Sequence, residues 1–143
     1  MNKNMFTRLL LSAKDYSPRI NWVLFLFRIA FGIAFFSHGF SKWSNFHTMA
    51  DAFPDPLGIG SSFSLGLAIF GEAICSLAVI IGLFHRLALI PMIITMGIAF
   101  FVIHCNDPFA TKELSFVYLI AFVGLFITGP GRISADYLLF RKK

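Results

Sequence analysis

Charged residues are scarce in this sequence. Only 13% of the 143 residues are Asp, Glu, Lys or Arg, whereas 57% are hydrophobic and the mean hydropathy is +0.78. A soluble domain is about half apolar and about one quarter charged. A single small core cannot remove this much apolar surface from water, so the composition predicts an integral membrane protein.

Cysteines and cofactor-binding motifs are also few. Cys75 and Cys105 are too few for a disulfide framework and lack C-x-x-C spacing, although their number leaves a single bridge open. No flavin, haem or iron–sulfur motif is visible. The N-terminus has no apolar run of about 7–15 residues, so we expect no cleaved signal peptide. The sequence identifies no catalytic residue.

Four continuous apolar segments each approach the roughly 20 residues that a membrane-spanning helix requires. They cover residues 22–40, 63–84, 87–104 and 114–128, of which the last is short. Because the runs are continuous rather than alternating, they indicate helices and not a β-barrel. We predict an all-α membrane four-helix bundle over residues 21–137. An interfacial amphipathic segment at residues 1–20 would precede it, and a basic cytoplasmic tail at residues 138–143 would follow it.

Basic residues are distributed unequally between the predicted loops. With the N-terminus in the cytoplasm, Lys42 and Lys112 lie outside, Arg28 lies within a helix, and the other nine of the twelve Lys and Arg residues lie inside. Cytoplasmic loops carry such an excess of positive charge. The pattern predicts that both termini lie in the cytoplasm. Anionic lipid then accounts for the net charge of +5, and no nucleic-acid partner is expected.

Two charged residues lie deep within the predicted helices. A rise of about 1.5 Å per residue places Arg28 roughly 10 Å, and Glu72 about 18 Å, from the cytoplasmic boundary. A lone charge at such depth costs at least about 2.5–3.5 kcal/mol, so we predict an Arg28–Glu72 ion pair. Two interpretations are open: the pair only fixes the helix register, or it lines a polar cavity that binds a proton, a quinone or another polar group.

Two histidines lie near the outer ends of their segments. His38 and His104 both fall about 25 Å from the cytoplasmic boundary, and Lys42 lies one turn beyond His38 on the same face. They would form a proton-transfer or metal site if the first and third helices pack together. The alternative is two histidines at separate interfaces, each bonded to backbone. We predict an intramembrane polar pocket, with no metal ligand assigned, that is lined by Arg28, His38, Lys42, Glu72 and His104.

Three ordered motifs run through these segments. They are R-x3-G-x5-HG-x2-K in the first helix, E-x9-G-x3-R across the second hairpin, and GPGR-x-S-x-D after the fourth helix. Together they resemble the DoxX family of small bacterial four-helix membrane proteins, over about residues 28–137. His104 matches a common histidine late in the third helix. The other family positions that this sequence matches are Arg28, His38, Gly39, Lys42, Glu72, Gly82, Arg86, Gly129, Gly131, Ser134 and Asp136.

The resemblance implies a role in membrane redox systems. Some DoxX members resemble a subunit of thiosulfate:quinone oxidoreductase, and others are linked to oxidative-stress complexes. A redox-associated module is therefore expected, with a quinone as the candidate cofactor and redox proteins as candidate partners. Two alternatives are a structural or assembly subunit and a small proton-coupled transporter. A transporter built on so narrow a bundle would need a homo-oligomer, and the sequence lacks the inverted repeat of many transporters.

Overall fold

Four long helices form the body of the protein in the computed structural model, which describes residues 15–140. In chain order the helices are α1 Pro18–Ser44, α2 Phe46–Met49, α3 Ser61–Ile81, α4 His85–Ile103, α5 Phe109–Thr128 and α6 Ala135–Phe140. All but α2 and α6 are long and apolar enough to cross a membrane. The predicted all-α four-helix membrane fold is confirmed. Most of the predicted amphipathic segment at residues 1–20, and the last three residues of the tail, lie outside the described residues.

The fourth spanning helix is longer than the sequence predicted. The sequence predicts an apolar segment that begins at residue 114, directly after Glu113, but α5 begins at Phe109 behind Pro108. A helix can accommodate Pro at its start, where no intrahelical N–H donor is needed. Lys112 and Glu113 therefore lie within the first turns of α5. With 20 residues, α5 needs no thinning of the bilayer to cross it.

Consecutive long helices run antiparallel, and α1 packs closely along α3. A Cβ atom added to Gly39 would lie 2.5 Å from the backbone nitrogen of Ala73, and one added to Gly32 would lie 2.6 Å from the side chain of Ile80. Small residues allow this close approach, which supplies van der Waals contact inside a membrane. The contact also fixes the register, because Gly39 stands level with Glu72 and Ala73.

The bundle has a compact apolar core and an outer surface that is also apolar. Phe35, Val79, Leu89 and Phe122 are at most 1% exposed and belong to one core cluster. The outside carries large exposed apolar side chains along every long helix, among them Trp22, Ile33, Ile94 and Ile127. Among residues 15–140, four charged side chains are instead buried, and these are Arg28, Glu72, Arg86 and Asp136. This arrangement suits a bilayer, in which lipid covers the apolar outside and charge is kept inside the protein.

Candidate functional site

A cavity of about 450 Å³ opens at one end of the bundle. We call this the Lys42 end: it holds the last turn of α1, the connection at residues 45–60 and the connection between α4 and α5. All four long helices contribute to the wall, and residues of the 45–60 connection form a roof. The roof residues that line the cavity are Phe53, Pro54, Pro56 and Leu57.

An ion pair lies in the wall of this cavity. Lys42 Nζ lies 2.5 Å from Glu72 Oε2, and Glu72 is only 3% exposed, whereas 23% of the Lys42 side chain is exposed. Glu72 belongs to Phe70–Ile74, a π-helical turn within α3. Such turns occur frequently at functional sites. The ammonium group compensates a carboxylate that would be costly to bury alone.

The predicted Arg28–Glu72 ion pair is wrong. Arg28 does not line the cavity but lies at the opposite end of the bundle. There its Nη1 and Nη2 atoms donate hydrogen bonds to the carbonyl oxygens of Pro130 (2.8 Å) and Ile133 (2.7 Å). The register explains the error. Arg28 is eleven residues from Gly39, which is about 16 Å along α1, whereas Lys42 is three residues, or about 4.5 Å, from the same level.

His38 lies in the cavity wall beside Tyr118 of α5. The two rings meet edge to face with their centroids 5.9 Å apart. Tyr118 is 6% exposed, and its phenol lies close enough to the Glu72 carboxylate for the two to interact electrostatically. Neither the Tyr118 hydroxyl nor the His38 ring forms a hydrogen bond within residues 15–140. The cavity therefore contains two polar groups that the described protein leaves without hydrogen-bond partners.

His104 also lines the cavity, at the end of α4. Its Nδ1 atom lies 2.7 Å from Asp107 Oδ2, and 36% of the His104 side chain is exposed. A carboxylate at this distance orients an imidazole and leaves Nε2 for other partners. The cavity thus brings together His38, Lys42, Glu72 and His104, four of the five residues of the predicted pocket.

The cysteines and the acidic and histidine residues offer no metal centre in the part of the chain that the structure describes. No group of three His, Cys, Asp or Glu side chains within residues 15–140 is arranged to hold a metal ion. Cys75 is buried and Cys105 is exposed, and both are free thiols. The single disulfide that the sequence left open is therefore not formed.

Asp55 holds the roof of the cavity in place. Its carboxylate accepts hydrogen bonds from the backbone N–H groups of Ile59 (3.1 Å) and Gly60 (2.8 Å) and from the Ser64 hydroxyl (2.8 Å). The bond from Ser64, followed by the bond from Gly60, lowers the pKa of Asp55 below its ordinary value. Because Ser64 lies in the first turn of α3, Asp55 ties the roof to the start of that helix.

A second polar cluster occupies the opposite end of the bundle, which we call the Asp136 end. The Asp136 carboxylate accepts hydrogen bonds from the backbone N–H groups of Phe84 (2.7 Å) and His85 (2.9 Å), and its own N–H donates to the Gly82 carbonyl (2.9 Å). A carboxylate is favourable at a helix N-terminus, where N–H groups lack partners within the helix. Burial nevertheless raises the pKa of Asp136 above its ordinary value.

The remaining family-motif residues pack around this junction. Gly82 has a φ angle of 75°, and a Cβ atom added to it would lie 2.7 Å from Ser134 Cβ and 2.8 Å from Arg28 Nη1. Ser134 Oγ donates to the Gly131 carbonyl (2.7 Å) and accepts a bond from the Tyr137 N–H (3.2 Å). The guanidinium of Arg86 donates to the Phe126 carbonyl (2.9 Å) and lies against Gly129. These residues are placed to join α1, α3, α4 and α6 rather than to line the cavity.

The structure draws attention to two further positions. His85 is fully buried, because Asp136 holds the α3–α4 turn against α6. Tyr118 was not singled out at all. A signal for it existed, since Ser115 and Tyr118 are polar residues one turn apart within an apolar helix, and both face the cavity.

Comparison with known proteins identifies the family. The DoxX family model matches residues 23–105, which is more than half of the chain and runs from α1 through the end of α4. No curated protein and no solved structure matches the chain. The matched range contains Arg28, His38, Lys42, Glu72 and His104, whereas Tyr118 and the Asp136 segment lie beyond it. This multi-pass membrane protein therefore belongs to the DoxX family.

Proposed function

We propose that this protein is a redox-associated membrane module that binds a quinone in the cavity at the Lys42 end and acts with partner proteins. The observation that carries the proposal is the combination of a largely apolar cavity with a small polar group at one wall. Cavities of about 300–1,000 Å³ hold small ligands and cofactors, and the value of about 450 Å³ is within this range. The size suits a quinone ring with the first part of its isoprenoid tail.

The residues of the wall fit the chemistry of a quinone ring. The ring carries carbonyl oxygens, which need hydrogen-bond donors when they are buried. The Tyr118 hydroxyl and the His38 ring have no hydrogen-bond partner among residues 15–140 and are available to such oxygens. The apolar wall, which includes Phe35 and Ile103, suits the rest of the molecule. A bound quinone would supply reversible uptake of electrons and protons.

The charged and titratable residues have distinct roles in this proposal. The Lys42 ammonium group lies at the wall, where it compensates the charge of Glu72. The His38 ring lines the cavity, where its nitrogens can form a hydrogen bond with a ligand. His104, oriented by Asp107 and partly exposed, lines the same cavity. No residue of this set has to form a covalent bond with the ligand.

We also propose an orientation in a bacterial cytoplasmic membrane, with both termini in the cytoplasm. The excess of Lys and Arg around the Asp136 end supports this orientation, and it places the cavity opening on the outer side. The experiment introduces single cysteines into a chain that lacks Cys75 and Cys105. A membrane-impermeant thiol reagent added from outside should label a cysteine at Asp51 and not one at Lys143. The reverse labelling pattern would overturn the orientation.

Quinone content tests the proposed function. The protein is purified in a mild detergent, and lipid quinones are extracted and quantified per protein chain, with a second membrane protein of similar size as the carry-over control. The expected result is a quinone-to-protein ratio well above that of the control. A ratio equal to the control, together with no binding of an added short-chain quinone, would contradict the proposal and favour a structural or assembly role.

A pair of variants locates the binding within the protein. Ala99→Trp fills part of the cavity, because Ala99 lines it and is only partly buried, and should reduce the quinone ratio. Ile127→Trp is the matched control, since Ile127 is 67% exposed on the outside of α5. It should leave the ratio unchanged. Equal loss in both variants would show that any bound quinone lies outside the cavity.

A further inference from the structure

We infer that Tyr118 is the residue that recognises the ligand, by donating a hydrogen bond from its hydroxyl to a ring carbonyl oxygen. The inference rests on the proposed function and extends it to a residue outside the range that the family model matches. It assigns to the cavity a preference for flat rings that carry an acceptor oxygen, rather than for any apolar molecule of similar size.

The hydroxyl of Tyr118 has no structural task in the described protein. The ring is held by Phe35 at 5.0 Å, by Phe122 at 5.5 Å and by Phe31 at 6.0 Å between ring centroids. Phenylalanine would make the same ring contacts. Yet the hydroxyl forms no hydrogen bond within residues 15–140, although the residue is only 6% exposed. Tyr118 lines the cavity, so a hydrogen-bond acceptor bound there would engage a donor that residues 15–140 leave open.

The surroundings of the hydroxyl restrict which ligand atom it meets. Three aromatic rings fix the Tyr118 ring, so little side-chain freedom is lost when a ligand binds. The Lys42 ammonium group is already engaged by Glu72 at 2.5 Å. Tyr118 is therefore a neutral donor on the α5 side of the cavity, and it is buried, whereas the Thr111 hydroxyl in the same wall belongs to an exposed residue. A carbonyl oxygen is the complementary group, because it accepts a hydrogen bond and carries no proton of its own.

The test compares two ligands and three proteins. The ligands are a short-chain quinone and an analogue with the same ring and tail but without the ring oxygens. The proteins are the wild type, Tyr118→Phe and the control Ser115→Ala. Ser115 lies one turn before Tyr118 in the same wall, but its hydroxyl is already bonded to the Lys112 carbonyl at 2.7 Å. Affinities are measured by equilibrium binding to full-length protein in detergent micelles.

Tyr118→Phe should weaken quinone binding about fivefold, which corresponds to about 1 kcal/mol, the usual net value of one neutral hydrogen bond. It should leave the affinity of the oxygen-free analogue unchanged, and Ser115→Ala should change neither. A second measurement does not depend on affinity. The infrared carbonyl stretch of the bound quinone should lie at lower frequency in the wild type than in Tyr118→Phe.

The outcomes separate this inference from the proposed function. If the wild type binds the quinone and Tyr118→Phe binds it equally well with the same carbonyl frequency, the inference is wrong and the proposed function stands. If Tyr118→Phe weakens both ligands equally, the residue only shapes the cavity, and the inference is again wrong. If the wild type binds no quinone, the proposed function itself fails.

Discussion

The Lys42–Glu72 ion pair makes a quantitative prediction about stability. Removing one partner of a buried pair costs about 3–5 kcal/mol, because the other charge is left without compensation. Lys42→Met leaves the 3% exposed Glu72 alone, but the lysine side chain it removes was 23% exposed, so we expect a loss of about 2–3 kcal/mol. Glu72→Gln leaves a lysine that reaches water, and we expect a loss of about 1 kcal/mol. The lysine variant should therefore be the less stable of the two.

A double-mutant cycle tests whether these residues interact directly. Stability is measured by reversible unfolding in mixed micelles, followed by far-UV circular dichroism. The Lys42→Met, Glu72→Gln double variant should be less destabilised than the sum of the single variants by at least about 0.5 kcal/mol. The control cycle pairs Arg28→Met with Glu72→Gln, and should be additive within about 0.3–0.5 kcal/mol because the two side chains lie at different levels of the bundle. Additivity in the first cycle with coupling in the second would refute the register described above.

Three further predictions concern the packing and the two ends of the bundle. Asp136→Ala removes both hydrogen bonds to the start of α4 and should lower the free energy of unfolding by about 2–3 kcal/mol. The control Asp107→Ala removes a side chain that is 43% exposed, and should change the free energy of unfolding by less than about 1 kcal/mol. Gly39→Ala should destabilise the protein by about 1–3 kcal/mol, since the added Cβ would lie 2.5 Å from the Ala73 nitrogen. In the control Gly97→Ala the added Cβ meets nothing within 4 Å, so stability should change by at most about 0.5 kcal/mol. Equal effects of the two variants would contradict the close α1–α3 contact. The lowered pKa of Asp55 means that its contribution is fully present above the unfolded pKa of about 3.9 and is lost as the pH falls through the folded value. The stability difference between wild type and Asp55→Ala should therefore shrink below about pH 4. The control is Asp51→Ala, which removes a carboxylate that accepts no hydrogen bond within residues 15–140.

The helices could be predicted from the sequence because their signal is local. Long apolar runs determine how many segments can cross a bilayer, and the sequence and the structure both contain four such segments. The ends of the helices were predicted less well, because the start of the fourth segment was placed directly after the charged residue Glu113. Lys112 and Glu113 lie inside α5, since polar side chains near a helix end can reach water.

The partners of the buried charges could not be predicted, because they depend on how far one helix is shifted along another. The predicted Arg28–Glu72 pair rests on depths counted along each helix from the cytoplasmic boundary. In the structure, the level of Gly39 coincides with that of Glu72, and Arg28 lies beside Gly82. This shift of a few residues moves Arg28 away from Glu72 and brings Lys42 to it. A single sequence contains the glycines that allow the contact but not the register that results.

The candidate site shows the same limit. His38, Lys42, Glu72 and His104 stood out because polar residues are rare in apolar segments, and the cavity contains all four. Tyr118 did not stand out, because an aromatic residue in an apolar helix resembles core packing. The open hydroxyl could be recognised only when its neighbours were known. Roof residues such as Pro54 and Leu57 likewise come from a connection whose path no periodic pattern predicts.

The central claim is that the cavity at the Lys42 end holds a quinone, and photo-crosslinking tests it most directly. A photoreactive short-chain quinone is bound to the purified protein, activated by light, and the modified residues are located by peptide mass spectrometry, with excess unlabelled quinone as competitor. We expect labelling at cavity residues such as His38, Thr95 and Tyr118, and we expect the competitor to reduce it. Labelling confined to lipid-facing residues such as Val23 and Ile127, or labelling that the competitor does not reduce, would contradict it.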